Sequence, residues 1–304
     1  MKRHSKVFFY SLVIISIGFL FYYLNSLDLV SLSIVCELNM PLLFAAIGFL
    51  LLGFLLMANS WRYAIFLHGH KVGATDAIIS HGLPVFAKYI PGKVWVILGR
   101  ASLLVNKSRS IKLLSYISLK EQLVYLLLGL LLSFPFVLFL YAEWYFSFLV
   151  GISIIGLFSL LAVRPLHELF TRIYFLLLKK QIYIPFISLK DIVHLAGSIL
   201  LYWASWILGF YLLLKSMPYE TNFIMAMGFP VSVCFGLLAV FIPAGVGVRE
   251  GIIVYFLTSS GMQLEDAVTA SIIARLWFII GEIGIFFIAL FFKFRRKQEQ
   301  IQFS

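Results

Sequence analysis

The residues best suited to chemistry lie where an apolar run is broken at Pro243, Gly245 and Gly247, with Arg249 and Glu250 directly after. Proline removes a backbone donor, and glycine permits turns that other residues resist. A helix that starts after such a break has unpaired N–H groups. Together with a guanidinium, these groups can hold an anion such as a phosphate. The alternative is that Arg249 and Glu250 only neutralise charge in a buried turn.

A weaker copy of this pattern lies earlier in the chain. Pro91 and Gly92 break an apolar run, Lys93 follows the break, and Lys88 and Arg100 flank it without an acidic residue between them. Broken helices and charge are costly at membrane depth, so the pattern is typical of a transport site. For Lys88 and Arg100, the alternative is that both side chains extend to the inner membrane surface.

Four further charges fall inside apolar runs that are long enough to cross a membrane. Lys120 and Glu121 are adjacent, whereas Arg275 and Glu282 are two helical turns apart and share a helix face. Unpaired charge in hydrocarbon is costly, so we expect a buried ion pair within each set. The alternative is that Glu121 or Glu282 carries a coupling proton.

No nucleophile motif, phosphate-binding loop or nucleotide fold is visible in the sequence. The two cysteines, Cys36 and Cys234, are far apart and fit no metal site. We therefore predict no catalytic residue, no cofactor and no metal. Loop or interface positions are predicted for the histidines other than the one near the N-terminus, namely His68, His70, His81, His167 and His194.

Composition places the chain among membrane proteins. Hydrophobic residues make up 62% and charged residues 12%, whereas soluble domains have about 45–50% and about 25%. The mean hydropathy is +1.02. No polar segment is long enough for a soluble domain, so residues 1–304 are predicted to form one integral membrane domain.

The net charge of +11 is concentrated in loops and tails on one side of the predicted topology. The positive-inside rule makes this side cytoplasmic, and it includes both termini. The expected location is the cell (inner) membrane. The basic rim fits contact with anionic lipid headgroups rather than with nucleic acid.

The apolar runs predict an all-α polytopic membrane protein with about six spanning helices. Runs 77–90 and 93–105 are too short to cross and predict a re-entrant hairpin entered from the cytoplasm, with its break at Pro91 and Gly92. Run 222–260 predicts a second hairpin from outside, whose first arm is long enough to span. An amphipathic helix on the inner leaflet is predicted for 164–190. The predicted spans are 7–25, 42–67, 113–140, 147–163, 191–214 and 264–292.

The predicted topology contains an internal repeat. Regions 42–140 and 191–292 each contain a span, a hairpin and a second span in this order, and the two regions have opposite orientations in the membrane. Two short matches agree with this alignment: Gly82–Val85 with Gly228–Val231, and Tyr89–Gly92 with Phe241–Ala244. Inverted repeats with paired broken helices are typical of secondary transporters.

The stretches Pro243–Gly251 and Tyr89–Trp95, together with Gly99 and Arg100, resemble the lysylphosphatidylglycerol synthase transmembrane-region family. This family is the flippase part of the multiple peptide resistance factor, and the resemblance covers nearly the whole chain. It implies an inner-membrane translocase for a lipid or lipid carrier. Because no aminoacyl-transferase domain is visible, we do not expect the chain to make lysyl-lipid.

Arg62 with Tyr63, and Lys120 with Glu121, occupy positions where the family often carries an Arg-aromatic pair and an acid-basic pair. The predicted substrate-binding residues are Lys93, Arg100, Arg249, Glu250, Arg275 and Arg62.

The leading functional prediction is a flippase for an anionic phospholipid or a polyprenyl-phosphate-type lipid. One alternative is a membrane glycosyltransferase, or an accessory protein, in lipid-linked glycan synthesis, with Asp28 or Glu37 as its outward carboxylate. A second alternative is a scaffold without transport. The predicted partners are anionic membrane lipids, and any protein partner is expected to be a second copy or an envelope-biosynthesis enzyme.

Overall fold

The structure is a computed structural model, and it describes residues 37–302 apart from 91–93, 107, 141–143, 170–171, 173–185, 240–241 and 243–244. All regular elements among these residues are helical. The predicted first span, 7–25, lies outside the described residues.

Four long apolar helices match four of the predicted spans in length and composition, which supports a multi-pass membrane protein. At about 1.5 Å per residue, a helix of 28 residues reaches about 42 Å, which exceeds the apolar core of about 30 Å. Asn39 caps the first of these helices, and a Ser188–Asp191 capping box starts the third. The four helices are α1 (Met40–Leu67), α4 (Ile111–Leu140), α6 (Leu189–Ser216) and α10 (Leu264–Gln302).

The predicted span 147–163 corresponds to α5 (Trp144–Ala162), which has 19 residues and is shorter than these four helices. For the predicted inner-leaflet helix, residues 164–169 are helical, and most of the remaining stretch lies outside the described residues.

The first broken segment consists of short pieces, as predicted. Helix α2 (Ala74–Gly82) is followed by a 3₁₀ helix (Val85–Tyr89) and then by α3 (Val94–Ser102). Each α-helix has 9 residues and is therefore about 14 Å long, which is far too short to cross a bilayer.

The second broken segment differs from its prediction. It contains α7 (Phe223–Ala226), α8 (Gly228–Leu238) and α9 (Val248–Ser259). The expectation that its first arm is long enough to span was wrong, because α8 has only 11 residues. Pro230 explains the division, since proline fits the first turn of a new helix and disrupts a helix interior.

The matched stretches Gly82–Val85 and Gly228–Val231 also differ in local structure. Gly82 ends α2, whereas Gly228 begins α8. Both glycines allow a close approach: a Cβ would lie 2.6 Å from the carbonyl oxygen of Ile285 at position 82 and 2.5 Å from the ring of Phe256 at position 228.

Helices α1 and α6 form the most extensive pair in the core. Their backbones are tied by side chains of α6: Trp206 Nε1 donates to Leu50 O at 3.2 Å, and Ser205 Oγ donates to Phe49 O at 2.7 Å. Such polar ties and small interface residues replace the hydrophobic effect between helices in lipid. The broken segments pack against α1, α4 and α10, which hold their charged residues in place.

A candidate anion-binding cavity

A cavity of about 130 Å³ lies between the two broken segments and the long helices. Each long helix contributes a residue near its own middle: Phe54 from α1, Tyr125 from α4, Trp206 from α6 and Phe278 from α10. The cavity is therefore far from both ends of these helices. Most of its wall is apolar, and its other polar side chains are His81, Lys88, Gln122 and Arg249.

Arg249 supplies a guanidinium to the cavity from the first turn of α9. Only 6% of the residue is exposed, and its guanidinium carbon lies 4.6 Å from the ring centre of Phe278 and 5.9 Å from that of Phe229. Its Nε is buried and has no hydrogen-bond partner among the described residues. Cation–π contacts hold the cation in place and leave its donors available.

The backbone around the break makes room for this side chain. A Cβ at Gly236 of α8 would overlap Cγ of Arg249. Gly245 has φ +69° and sits against the backbone of Gly236, and Gly247 has φ +81° as the N-cap of α9. These positive angles favour glycine. Gly245 and Gly247 thus form the turn that was predicted for the break. Pro243, the third predicted break residue of this segment, lies outside the described residues.

Lys88 lines the same cavity, and its ammonium forms an ion pair with Glu282 of α10. The other oxygen of Glu282 accepts a hydrogen bond of 3.0 Å from the Tyr89 hydroxyl. Glu282 is 1% exposed, so two donors compensate one deeply buried carboxylate. The charged partner of Glu282 is thus on the first broken segment, rather than on its own helix as predicted.

Glu250 does not serve as a simple counter-ion for the adjacent Arg249. Its Oε2 accepts a hydrogen bond of 2.7 Å from the backbone N–H of Gly247, which caps α9. Its Oε1 lies 3.6 Å from Nε of Arg275 on α10. Glu250 therefore connects the second broken segment to the last long helix.

The described charges around the cavity do not balance. Lys88, Arg249 and Arg275 give three positive charges, and Glu250 and Glu282 give two negative charges, which leaves one positive charge. Both carboxylates already interact with other donors, and Arg249 forms no ion pair with any described residue. An excess charge in an apolar wall is costly without a counter-ion.

The predicted pairing of Lys120 with Glu121 was wrong. Glu121 forms a buried ion pair with Arg100 of α3, and the Lys120 ammonium lies 2.8 Å from Asp191 at the start of α6. Neighbouring residues on a helix point in different directions, so each reaches another element.

Arg100, a predicted substrate-binding residue, pairs with Glu121 in the core and does not line the cavity. It is 1% exposed, and its guanidinium carbon lies 4.2 Å from the ring centre of Trp61. Its pairing with Glu121 also removes the alternative that it extends to the membrane surface.

The structure does not bring Arg62 to the cavity. This exposed residue lines a separate pocket near the end of α1, together with Lys71. Arg275 and Glu250 contact each other between α10 and α9 and do not line the cavity. Lys93, Pro91 and Gly92 lie outside the described residues, as does Asp28, and Glu37 is exposed just before α1.

The predicted loop or interface position of His81 was wrong. The residue is only 7% exposed and lines the cavity from α2, rather than lying in a loop or at an interface. The available signal was its position in the same broken segment as Lys88.

Comparison with known families gave one result. Residues 8–281 match the sequence model described as the lysylphosphatidylglycerol synthase TM region. Neither the curated proteins nor the solved structures gave a match to this chain.

Proposed function

The chain belongs to the lysylphosphatidylglycerol synthase transmembrane-region family, and on this premise we propose that it moves an anionic lipid across the membrane. The observation that carries the proposal is the guanidinium of Arg249, which forms no ion pair with a described residue and lies in a cavity far from both ends of the long helices. A phosphate group is the natural counter-ion, because guanidinium donors match its oxygens in a two-pronged arrangement.

The cavity suits a lipid headgroup better than a free solute. Its walls combine a few cationic donors with many apolar side chains, including Phe54, Val233 and Phe278. In the proposed mechanism, the phosphate pairs with Arg249 while the acyl chains remain in the bilayer. A singly charged phosphodiester would offset one positive charge of this cavity.

The broken segments supply the moving parts of the proposal. We place them as re-entrant hairpins that enter from opposite sides, with regions 42–140 and 191–292 as inverted repeats. Lys88 contacts Glu282, and Glu250 contacts Arg275, so each broken segment is held to α10 by an ion pair. Opposite tilting of the two repeats would expose the cavity to each leaflet in turn.

A lipid-translocation assay tests the proposal. The purified protein is reconstituted into vesicles that carry phosphatidylglycerol or phosphatidylcholine labelled on an acyl chain, so that the headgroup is intact. An external reductant reaches only the label in the outer leaflet. Loss of the remaining label therefore reports movement of the lipid between leaflets. We expect the protein to accelerate the movement of phosphatidylglycerol much more than that of phosphatidylcholine. Equal rates for both lipids, or rates equal to those of empty vesicles, would refute the proposal.

A further inference from the structure

His81 is a buried polar side chain to which the described residues offer no hydrogen-bond partner. Neither Nδ1 nor Nε2 has a hydrogen-bond partner among the described residues, and both atoms are buried. A neutral imidazole needs an acceptor for one nitrogen and a donor for the other. Buried polar groups are normally satisfied, so an exception in a cavity wall indicates a missing ligand.

The surroundings of His81 are cationic. Lys88 follows it on the 3₁₀ helix, and Arg100 lies on α3; both interact electrostatically with the ring. Helix α1 contributes only the apolar side chains Phe54 and Met57 to this cavity. The charged groups that the other elements hold around this cavity include Glu121 on α4, Arg249 and Glu250 on α9, and Arg275 and Glu282 on α10. The three carboxylates are already paired.

We infer that His81 is a further ligand of the anion held by Arg249, and that the imidazole takes up a proton when the anion binds. In the empty cavity, a charge on His81 would add to that of Arg249 without compensation, because Glu250 and Glu282 are already paired. A bound phosphate supplies negative charge and accepts a hydrogen bond from the ring. The proton comes from water on the side where the lipid enters and returns to water when the lipid leaves.

This inference rests on the proposed function and adds to it a coupling between lipid movement and proton movement. A lipid anion that carries a proton with it crosses as a neutral pair. A proton gradient would then bias the direction of lipid movement.

The test is binding of dioctanoyl phosphatidylglycerol to the purified full chain in detergent, with dioctanoyl phosphatidylcholine as the control amphiphile. The phosphodiester remains ionised throughout the range from about pH 6 to about pH 8.5, so any pH dependence reports on the protein. If binding takes up one proton, the affinity falls by up to about tenfold for each unit by which the pH rises. We expect this slope in the wild-type protein, and in His81→Gln a flat profile in which binding at about pH 6 is weaker than in the wild-type protein. The matched control His194→Gln, at an exposed position of α6, should keep the wild-type slope.

Calorimetry of the wild-type protein in buffers with different ionisation enthalpies provides a second measurement that needs no variant. We expect uptake of about one proton for each lipid bound. No uptake, or an unchanged slope in His81→Gln, overturns the role of His81 but leaves the proposed function standing. Absence of phosphatidylglycerol binding by the wild-type protein overturns both. If His81→Gln fails to fold, His81→Asn takes its place, and the calorimetric result decides.

Discussion

Single residues determine which charges are available to a ligand. Arg249 was predicted from its position after a helix break, and the structure places it in the cavity. The role of its neighbour Glu250 could not be assigned from the sequence, because its partner Arg275 on α10 is brought to it by the fold. The same reason explains the wrong pairing predicted for Lys120 and Glu121. Sequence spacing identifies charges that must be buried, but tertiary packing decides their partners.

The Arg100–Glu121 pair should be structural. Replacing Arg100 with Met leaves an unpaired carboxylate in the core, at a cost of about 3–5 kcal/mol. We expect a large loss of folded protein, measured by size-exclusion chromatography in detergent. The double substitution Arg100→Met with Glu121→Gln should recover most of the folded protein and its lipid translocation. A well-folded double variant without translocation would instead make this pair part of the lipid pathway.

The helices and their breaks set the geometry of the cavity. Hydrophobic length predicted α1, α4, α6 and α10 well, because a membrane span needs about 20 apolar residues. The second broken segment was predicted less well: Pro230 starts a new helix where a continuous arm was expected. Short helices depend on packing for their stability, so their ends follow tertiary contacts more than composition.

A substitution at Gly236 tests whether the close approach of α8 positions Arg249. An alanine methyl group at position 236 would overlap the Arg249 side chain, which would have to move. We expect Gly236→Ala to lower phosphatidylglycerol translocation about tenfold, equivalent to about 1.4 kcal/mol, while membrane insertion remains normal. Gly197→Ala on α6 is the matched control, because a methyl group there meets no atom within 4 Å. Wild-type translocation by Gly236→Ala would show that the close approach of α8 to Arg249 is not needed.

At the scale of the whole molecule, contacts between distant segments define two ends of the helix bundle. At one end, Arg296 forms an ion pair with Asp76, which joins the end of α10 to the start of α2. At the other end, Asn39 N donates to Ser216 O at 2.8 Å, which joins the start of α1 to the end of α6. The orientation of this bundle in the membrane follows only from loop charge, which predicts the Arg296 end to be cytoplasmic.

Cysteine labelling tests this orientation. In a background with Cys36→Ser and Cys234→Ala, single cysteines are introduced at Thr75, Gln298 and Glu220, all of which are exposed. We expect Thr75→Cys and Gln298→Cys to react with a membrane-impermeant reagent only from the cytoplasmic side. Glu220→Cys should react only from outside. Labelling of Gln298→Cys from outside would reverse the proposed orientation.

The central claim is that Arg249 holds the anionic headgroup during translocation, and the direct test is the rate of phosphatidylglycerol movement in vesicles that contain Arg249→Gln. Loss of a charge-assisted hydrogen bond costs about 1.5–3 kcal/mol, so the rate should fall at least about tenfold. The rate for phosphatidylcholine and the amount of inserted protein should not change. Wild-type movement of phosphatidylglycerol by a normally inserted Arg249→Gln protein would contradict the account.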